Sequence, residues 1–196
     1  CPDWLQNIIH IPAIDDPRTR YRDANIMQKM VTACKDKTVS DDFLMVHDDH
    51  LLLSEMVAIE FPYYYEGYIE PGEHQYGLTK ANTIDLLCPD ADNRLFNYDI
   101  HCPILFNKER FIGTVPLADW NKWYGYCLKT MYCILNGIEG EQTTDLKIRY
   151  LEKELDIRAA IAGRKWFSIG DKCFNYSDMK IVLEELYPNK SKYERT

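Results

Sequence analysis

A chain of 196 residues with 46% hydrophobic and 28% charged side chains has the composition of one folded domain rather than of a disordered segment. Its 31 acidic against 23 basic residues leave a net charge of −8, which excludes a generally basic nucleic-acid coat and argues against an anionic membrane surface, while a local basic groove stays compatible with it. No apolar run approaches the roughly 20 residues that a bilayer span needs, and the opening Cys1-Pro2-Asp3-Trp4 lacks the basic and apolar regions of a signal peptide.

In chain order, Ile8-Ile9-His10-Ile11-Pro12 reads as a short buried strand running into a turn at Asp15-Asp16-Pro17. A helix is predicted over 18–35, because Ala24, Met27, Met30, Val31 and Cys34 recur at three and four. Phe43-Leu44-Met45-Val46 is a continuous apolar run of the kind found in a strand covered on both faces, and it ends at His47-Asp48-Asp49-His50 before a second run, Leu51-Leu52-Leu53. Strand, helix and strand in this order predict a parallel α/β sheet. Beyond an aromatic stretch at 61–68, helices are predicted over 79–87 and 119–136, the second the longest, with Trp120, Trp123, Tyr124, Cys127, Leu128, Met131 and Ile134 on its buried side. Strands are predicted over 97–106, with Pro103 pushing part of it to an edge, and over 165–169. Ser177-Asp178 caps a last helix to about Leu186. There is no internal repeat or linker, so residues 1–196 are read as a single domain. The seven cysteines are odd in number and none has C-x-x-C spacing, which predicts buried free thiols in a reducing cytoplasm.

Three groups of residues could carry chemistry. Asp48 and Asp49 stand at the end of a buried strand, where ligands of parallel α/β sheets bind. Adjacent extended residues point opposite ways, so one carboxylate can hold Mg²⁺ or Mn²⁺ while its neighbour orients a water or a sugar hydroxyl. The plainer alternative is a solvated turn. Arg18, Arg20, Arg22, Asp23 and Asn25 open the first predicted helix, where arginine can grip phosphate and Asn25 can read a ribose or base edge; a solvated helix end with an Arg–Asp pair is the alternative. His101, beside Asp99 and before Pro103, could add a nitrogen ligand to a carboxylate-bound Mn²⁺, or be a satisfied core histidine. The tryptophans are read as core. Tyr63, Tyr64 and Tyr65, flanked by Glu66 and Gly67, are the better candidates for a pocket that packs on sugar C–H groups. P-loop, dinucleotide-fold, nucleophile-elbow and zincin motifs are all missing from the sequence.

Taken together, Ile8-Ile9-His10-Ile11-Pro12, Arg20-Tyr21-Arg22-Asp23-Ala24-Asn25-Ile26 and Asp41-Asp42-Phe43-Leu44-Met45-Val46-His47-Asp48-Asp49-His50 resemble bacterial and phage glycosyltransferase-like proteins related to the Stealth group of sugar-phosphate transferases. In that group a strand ends in an Asn-Asp-Asp type segment and a His-containing stretch follows. His47-Asp48-Asp49 and Ile100-His101-Cys102-Pro103 take the similar places here. The resemblance implies a GT-A-like, mostly parallel sheet flanked by helices, with Asp49 as a metal ligand, Asp48 as a donor-sugar contact, His101 as a further ligand, and Arg22 and Asn25 facing the donor. The segment is Asp-Asp-His rather than Asp-x-Asp, and the chain is expected to lack the first strands of such a domain.

The expected function is therefore metal-dependent glycosyl transfer from a nucleotide-sugar donor, with Mn²⁺ or Mg²⁺ neutralising the diphosphate. Glu66, Asp99 or Asp171 could act as base toward the acceptor, with Asp48 beside them. Arg20, Arg22, Asp23, Asn25, Asp48 and Tyr64 would hold the donor. The acceptor is a polysaccharide, a small molecule or a modified base in phage DNA, which the negative charge disfavours. Hexose-phosphate transfer and a non-catalytic sugar- or protein-binding module are the alternatives.

Overall fold

A computed structural model describes residues 6–15, 22–88, 94–151, 153–176 and 178–194. Among these are seven α-helices and seven short strands, a mixed α/β arrangement. Helix α1 (Arg22–Lys35) buries Ala24, Met27, Met30 and Cys34, the stripe that its sequence spacing predicts. Strand β1 (Asp42–Met45) pairs antiparallel with β4 (Ile104–Asn107), setting Phe43 opposite Phe106 and Met45 opposite Ile104. These residues join the main core with Phe111, Met131 and Tyr132, and Phe106 meets the Tyr132 ring edge-on at 4.5 Å. Removing each such ring from water contributes about 1.5–3 kcal/mol.

Strand β2 (His50–Leu52) belongs to a different sheet. It pairs antiparallel with β7 (Trp166–Ile169), which pairs parallel with β6 (Lys147–Ile148). Alternation divides this sheet into two faces. Leu51, Ile148, Phe167 and Ile169 pack under α5 (Glu154–Ile161), α6 (Asp171–Tyr176) and α7 (Met179–Leu186), with Ile157, Met179 and Val182 fully buried. His50, Ser168 and Lys147 lie in cross-strand register on the opposite face. Strand β3 (Tyr64–Tyr65) pairs parallel with β5 (Glu141–Gln142).

The expected mostly parallel sheet is thus three small sheets, with two parallel and two antiparallel pairings among the described residues. Only residues 46–49 separate β1 from β2, far fewer than the dozen or more that a parallel crossover needs. The 8–12 strand is absent: Ile8 and Ile9 are exposed, Asn7 has φ of 53°, and the Gln6 and Asn7 amides tie this segment to the carbonyls of 192–194.

Helix α2 (Gln75–Leu87) starts earlier than predicted, and its polar side chains explain a larger departure. The helix predicted over 119–136 is α4 (Leu128–Leu135) alone. Tyr124 and Gly125 both have positive φ, 72° and 61°, which no helix tolerates. Thr79 donates to the Tyr124 carbonyl at 2.7 Å, and Asn82 donates to those of Trp123 and Gly125. The carbonyls that a helix would have used are held by α2 instead. Trp123 is consequently exposed, against expectation, whereas Trp120 and Trp166 are buried. Helix α3 (Lys108–Thr114) follows β4 directly and accepts an Asn107 side-chain cap. Cys34, Cys88, Cys102, Cys127, Cys133 and Cys173 are buried.

Candidate functional site

The turn over 47–50 passes the chain from one sheet to another. His50 N–H donates to the His47 carbonyl at 3.1 Å, and His47 N–H donates to His50 Nδ1 at 3.2 Å. That second bond puts the His50 proton on Nε2. The imidazole is fully buried, yet Nε2 has no hydrogen-bond partner and lies 3.9 Å from Asp49 Oδ1. Burial pushes this histidine down to about 3, with Lys129, His47 and His101 adding to the effect and Asp49 opposing it.

Asp49 is engaged by its own fold. Its Oδ2 accepts from Lys147 Nζ at 2.7 Å and Ser168 Oγ at 2.9 Å, and its carbonyl accepts from Ile169 N–H. Burial works to raise this carboxyl, but the bonds from Lys147 and Ser168 and the lysine charge hold it below the usual range. Asp48, one residue earlier, is exposed at the tip of the turn.

His101 comes from the segment between Tyr98 and Ile104, predicted as strand. Pro103 and two tight turns, Ile100 N–H to the Tyr98 carbonyl and Cys102 N–H to the Ile100 carbonyl, keep it out of a ladder until β4 begins. Buried Lys129 reaches from the first turn of α4 and donates to the Ile100 and Cys102 carbonyls at 2.8 and 2.9 Å, one on each side of His101. The His101 backbone N–H and Nδ1 both bind Asp145, with Nδ1 3.0 Å from Oδ2. Arg149 donates to the same Oδ2 at 3.1 Å. Asp145 is held far below the usual carboxylate range: burial opposes this, and the bonds from His101 and the charges of His101 and Arg149 prevail. A carboxylate on Nδ1 fixes the Nδ1–H tautomer and leaves Nε2 as the basic nitrogen of a ring about one third exposed.

The other expected site residues fall out unevenly. Glu66 accepts from the Asp145 backbone N–H at 3.2 Å, so it supports the His101 partner. Asp99 binds the N–H groups of Lys129 and Thr130 at the start of α4, and burial raises its carboxyl despite the Lys129 charge. Its oxygens serve a helix terminus rather than an acceptor. Arg20 lies outside the described residues, as does the Arg22 side chain. Asp23 and Asn25 are half-buried on α1, where a Cβ on Gly125 would lie 3.2 Å from the Asp23 Cβ. Tyr64 borders a cavity of about 760 Å³ together with Phe61 and Trp166. Trp166 and Ser168 face the same way two residues apart on β7, but the cavity lining does not include Ser168, Asp49 or His50.

Sequence reasoning singled out His50 within Asp48-Asp49-His50 without giving it a role, and missed Lys129, Asp145, Lys147, Arg149 and Ser168. Lys129 had a readable signal, a lone charge inside the apolar stretch Tyr126-Cys127-Leu128-Lys129-Thr130-Met131-Tyr132-Cys133. The charges at 145–149 lie in an unremarkable polar stretch, and only the fold brings them to His101. Among the described residues no three His, Cys, Asp or Glu side chains converge as ligands for a metal ion. The Asp49 oxygen that faces the cluster is already bound to lysine and serine, and His101 Nδ1 to Asp145, so this set does not form a ready chelate. Compared with known proteins, the chain matches no protein-family model and no curated sequence.

Proposed function

We propose that the chain is a glycosyltransferase that moves a sugar from a nucleotide-sugar donor to a hydroxyl acceptor, with His101 as general base. The His101–Asp145 pair carries this reading. An imidazole with its Nδ1–H bound to a carboxylate has a defined Nε2 lone pair to take the acceptor proton as the new glycosidic bond forms. Asp99 and Glu66 yield that role, since each is committed to backbone N–H groups. Lys147 and Arg149 contribute positive charge beside the pair, suited to a leaving diphosphate. Asp48, exposed on the turn, is the carboxylate left for the donor. Mn²⁺ or Mg²⁺ would accompany the diphosphate, because Mg²⁺ is often held by one or two carboxylates plus substrate phosphates. A cytoplasmic location suits the buried thiols.

The cations beside an oriented imidazole also favour a second reading, hexose-phosphate transfer, in which a histidine nitrogen attacks phosphorus or serves as base. Phosphorus in the product separates the two. The test is incubation with UDP-, GDP- and CDP-sugars, with and without Mn²⁺, reading melting temperature and nucleotide release. One donor is expected to raise the melting temperature and to be consumed. His101→Ala is expected to slow consumption by about 10²–10⁴ while the donor-induced melting shift persists. If no donor produces either signal, the transferase reading fails in favour of a non-catalytic binding module.

A further inference from the structure

We infer that His101 accepts a phosphoryl group at Nε2, becoming a phosphohistidine, with an acyl phosphate as the donor class. The residues that would do this alternate along one short segment. Leu146 and Ile148 are buried, and their carbonyls accept from the N–H groups of Ser168 and Gly170. Extended backbone of this kind sets Asp145, Lys147 and Arg149 together on the opposite face. That face is open to a small solute, since the His101 side chain is 36% exposed and that of Arg149 45%.

Asp145 clamps His101 at two points. Its Oδ2 accepts from Nδ1 at 3.0 Å, and its Oδ1 accepts from the backbone N–H at 3.2 Å. The ring is thus fixed with a proton on Nδ1, and Nε2 has no hydrogen-bond partner among the described residues. A bare, oriented nitrogen backed by a carboxylate is the arrangement of an activated nucleophile. Arg149 is the independent observation. One of its N–H groups donates to the same Asp145 oxygen at 3.1 Å, which stands the guanidinium next to the imidazole, and its other donors have no partner among the described residues. Guanidinium presents five donors in a plane that matches phosphate oxygens. Lys147 adds a second positive charge on this face, with Nζ on Asp49 at 2.7 Å. In the step itself, the Nε2 lone pair forms the P–N bond as the bond from phosphorus to the acyl oxygen breaks. That oxygen keeps the bonding pair and leaves as a carboxylate. The ring retains its Nδ1 proton and turns cationic, and the Asp145 carboxylate stabilises the charge as it forms.

The inference rests on the oriented His101 of the proposed function but needs no sugar donor, so the two fail separately. The full chain is incubated with acetyl phosphate and followed by phosphorus NMR and by fragment mass spectrometry. One phosphoryl group, stable in alkali and lost in acid as a P–N bond is, should map to His101. It should form there about 10²-fold or more faster than on the exposed His10 and His74, which serve as unassisted imidazoles in the same chain. Asp145→Asn, which removes the carboxylate that fixes the tautomer, is expected to slow uptake by about 10²–10⁴. Arg149→Met should raise the acetyl phosphate concentration for half-maximal rate about tenfold while its urea midpoint stays near that of the parent. The inference is overturned if no histidine is phosphorylated, if His10 or His74 reacts as fast as His101, or if the folded Arg149 variant takes up the group like the parent. A phosphorylated His101 in a chain that consumes no nucleotide-sugar would keep the inference and remove the transfer. Donor consumption by a chain whose His101 stays unmodified in acetyl phosphate would do the reverse.

Discussion

At the scale of single residues, the two adjacent aspartates have different work. Asp49 compensates a half-buried lysine and a fully buried serine, whereas Asp48 meets solvent. Asp49→Ala strips Lys147 and Ser168 of their acceptor and is expected to lower unfolding free energy by about 2–3 kcal/mol. Asp48→Ala is expected to stay within about 0.5 kcal/mol. Urea unfolding of the two variants checks this, and equal effects would contradict the assignment. His50 supplies a separate prediction in pH. Its folded value of about 3 lies below the ordinary 6.5, so the unfolded chain binds the proton first as pH falls. Its contribution is at its full value above about pH 6.5 and declines below it, by at most about 1.4 kcal/mol per pH unit, until the folded imidazole itself titrates. The depressed Asp49 and Asp145 carboxyls act the same way, but only below the ordinary carboxylate range near 4. Between pH 6.5 and 4.5 the stability of His50→Leu should therefore fall less steeply than that of the parent chain; parallel curves would mean that the buried ring is not neutral. The sequence marked the Asp-Asp pair and His101 as special. It held no sign that Lys147 and Ser168 meet Asp49, because these contacts join residues 98 and 119 positions apart.

At the scale of elements, helix α4 is the support of the site. Its first turn receives the Asp99 carboxylate on two backbone N–H groups, and its Lys129 side chain returns to the carbonyls around His101. Each partner meets a cost of burial in the other: the lysine offsets the Asp99 charge, and the loop carbonyls satisfy the lysine. Lys129→Met would leave two carbonyls without their donor and Asp99 without the lysine charge. The expected loss is about 2–4 kcal/mol in urea unfolding, together with looser hydrogen-exchange protection over 99–102. A variant as stable as the parent would remove the lysine from that role. Element by element, the stripe of α1 and the runs that became β1, β2 and β7 were legible, since hydrophobic period is a local property. The helix predicted over 119–136 was not, although Trp120, Cys127, Leu128 and Met131 do fall in the core. Its period was right for burial and wrong for backbone, because Thr79 and Asn82 on a distant helix take the carbonyls of 123–125.

At the scale of the molecule, the open question is whether the chain behaves as one unit. Composition read it as a single domain, and its apolar residues form separate clusters: a main core around Phe106 and Tyr132, and a second layer under α5 and α7. One connection between them is the turn over 47–50, and a third cluster around Phe61, Ile100 and Trp166 also joins β7 to β1 through Leu44. Strand β1 is bound into the first cluster and β2 into the second, with only residues 46–49 in between. Asp49 and His50 therefore depend on both. If the layer of α5, α6 and α7 opened, β7 would lose its cover, Ser168 and Lys147 would leave Asp49, and the buried His50 would meet water. The same event would disturb Trp166, whereas Trp120 belongs to the main core and donates its indole N–H to the Val115 carbonyl. The two tryptophans thus report on the two sides of the turn. We expect emission from variants retaining only Trp120 or only Trp166 to give coincident urea midpoints, as in all-or-none unfolding, even though the chain exceeds the length at which that behaviour is usual. An earlier transition at Trp166 would instead show that the outer layer opens alone, and the site would then exist only while that layer is closed.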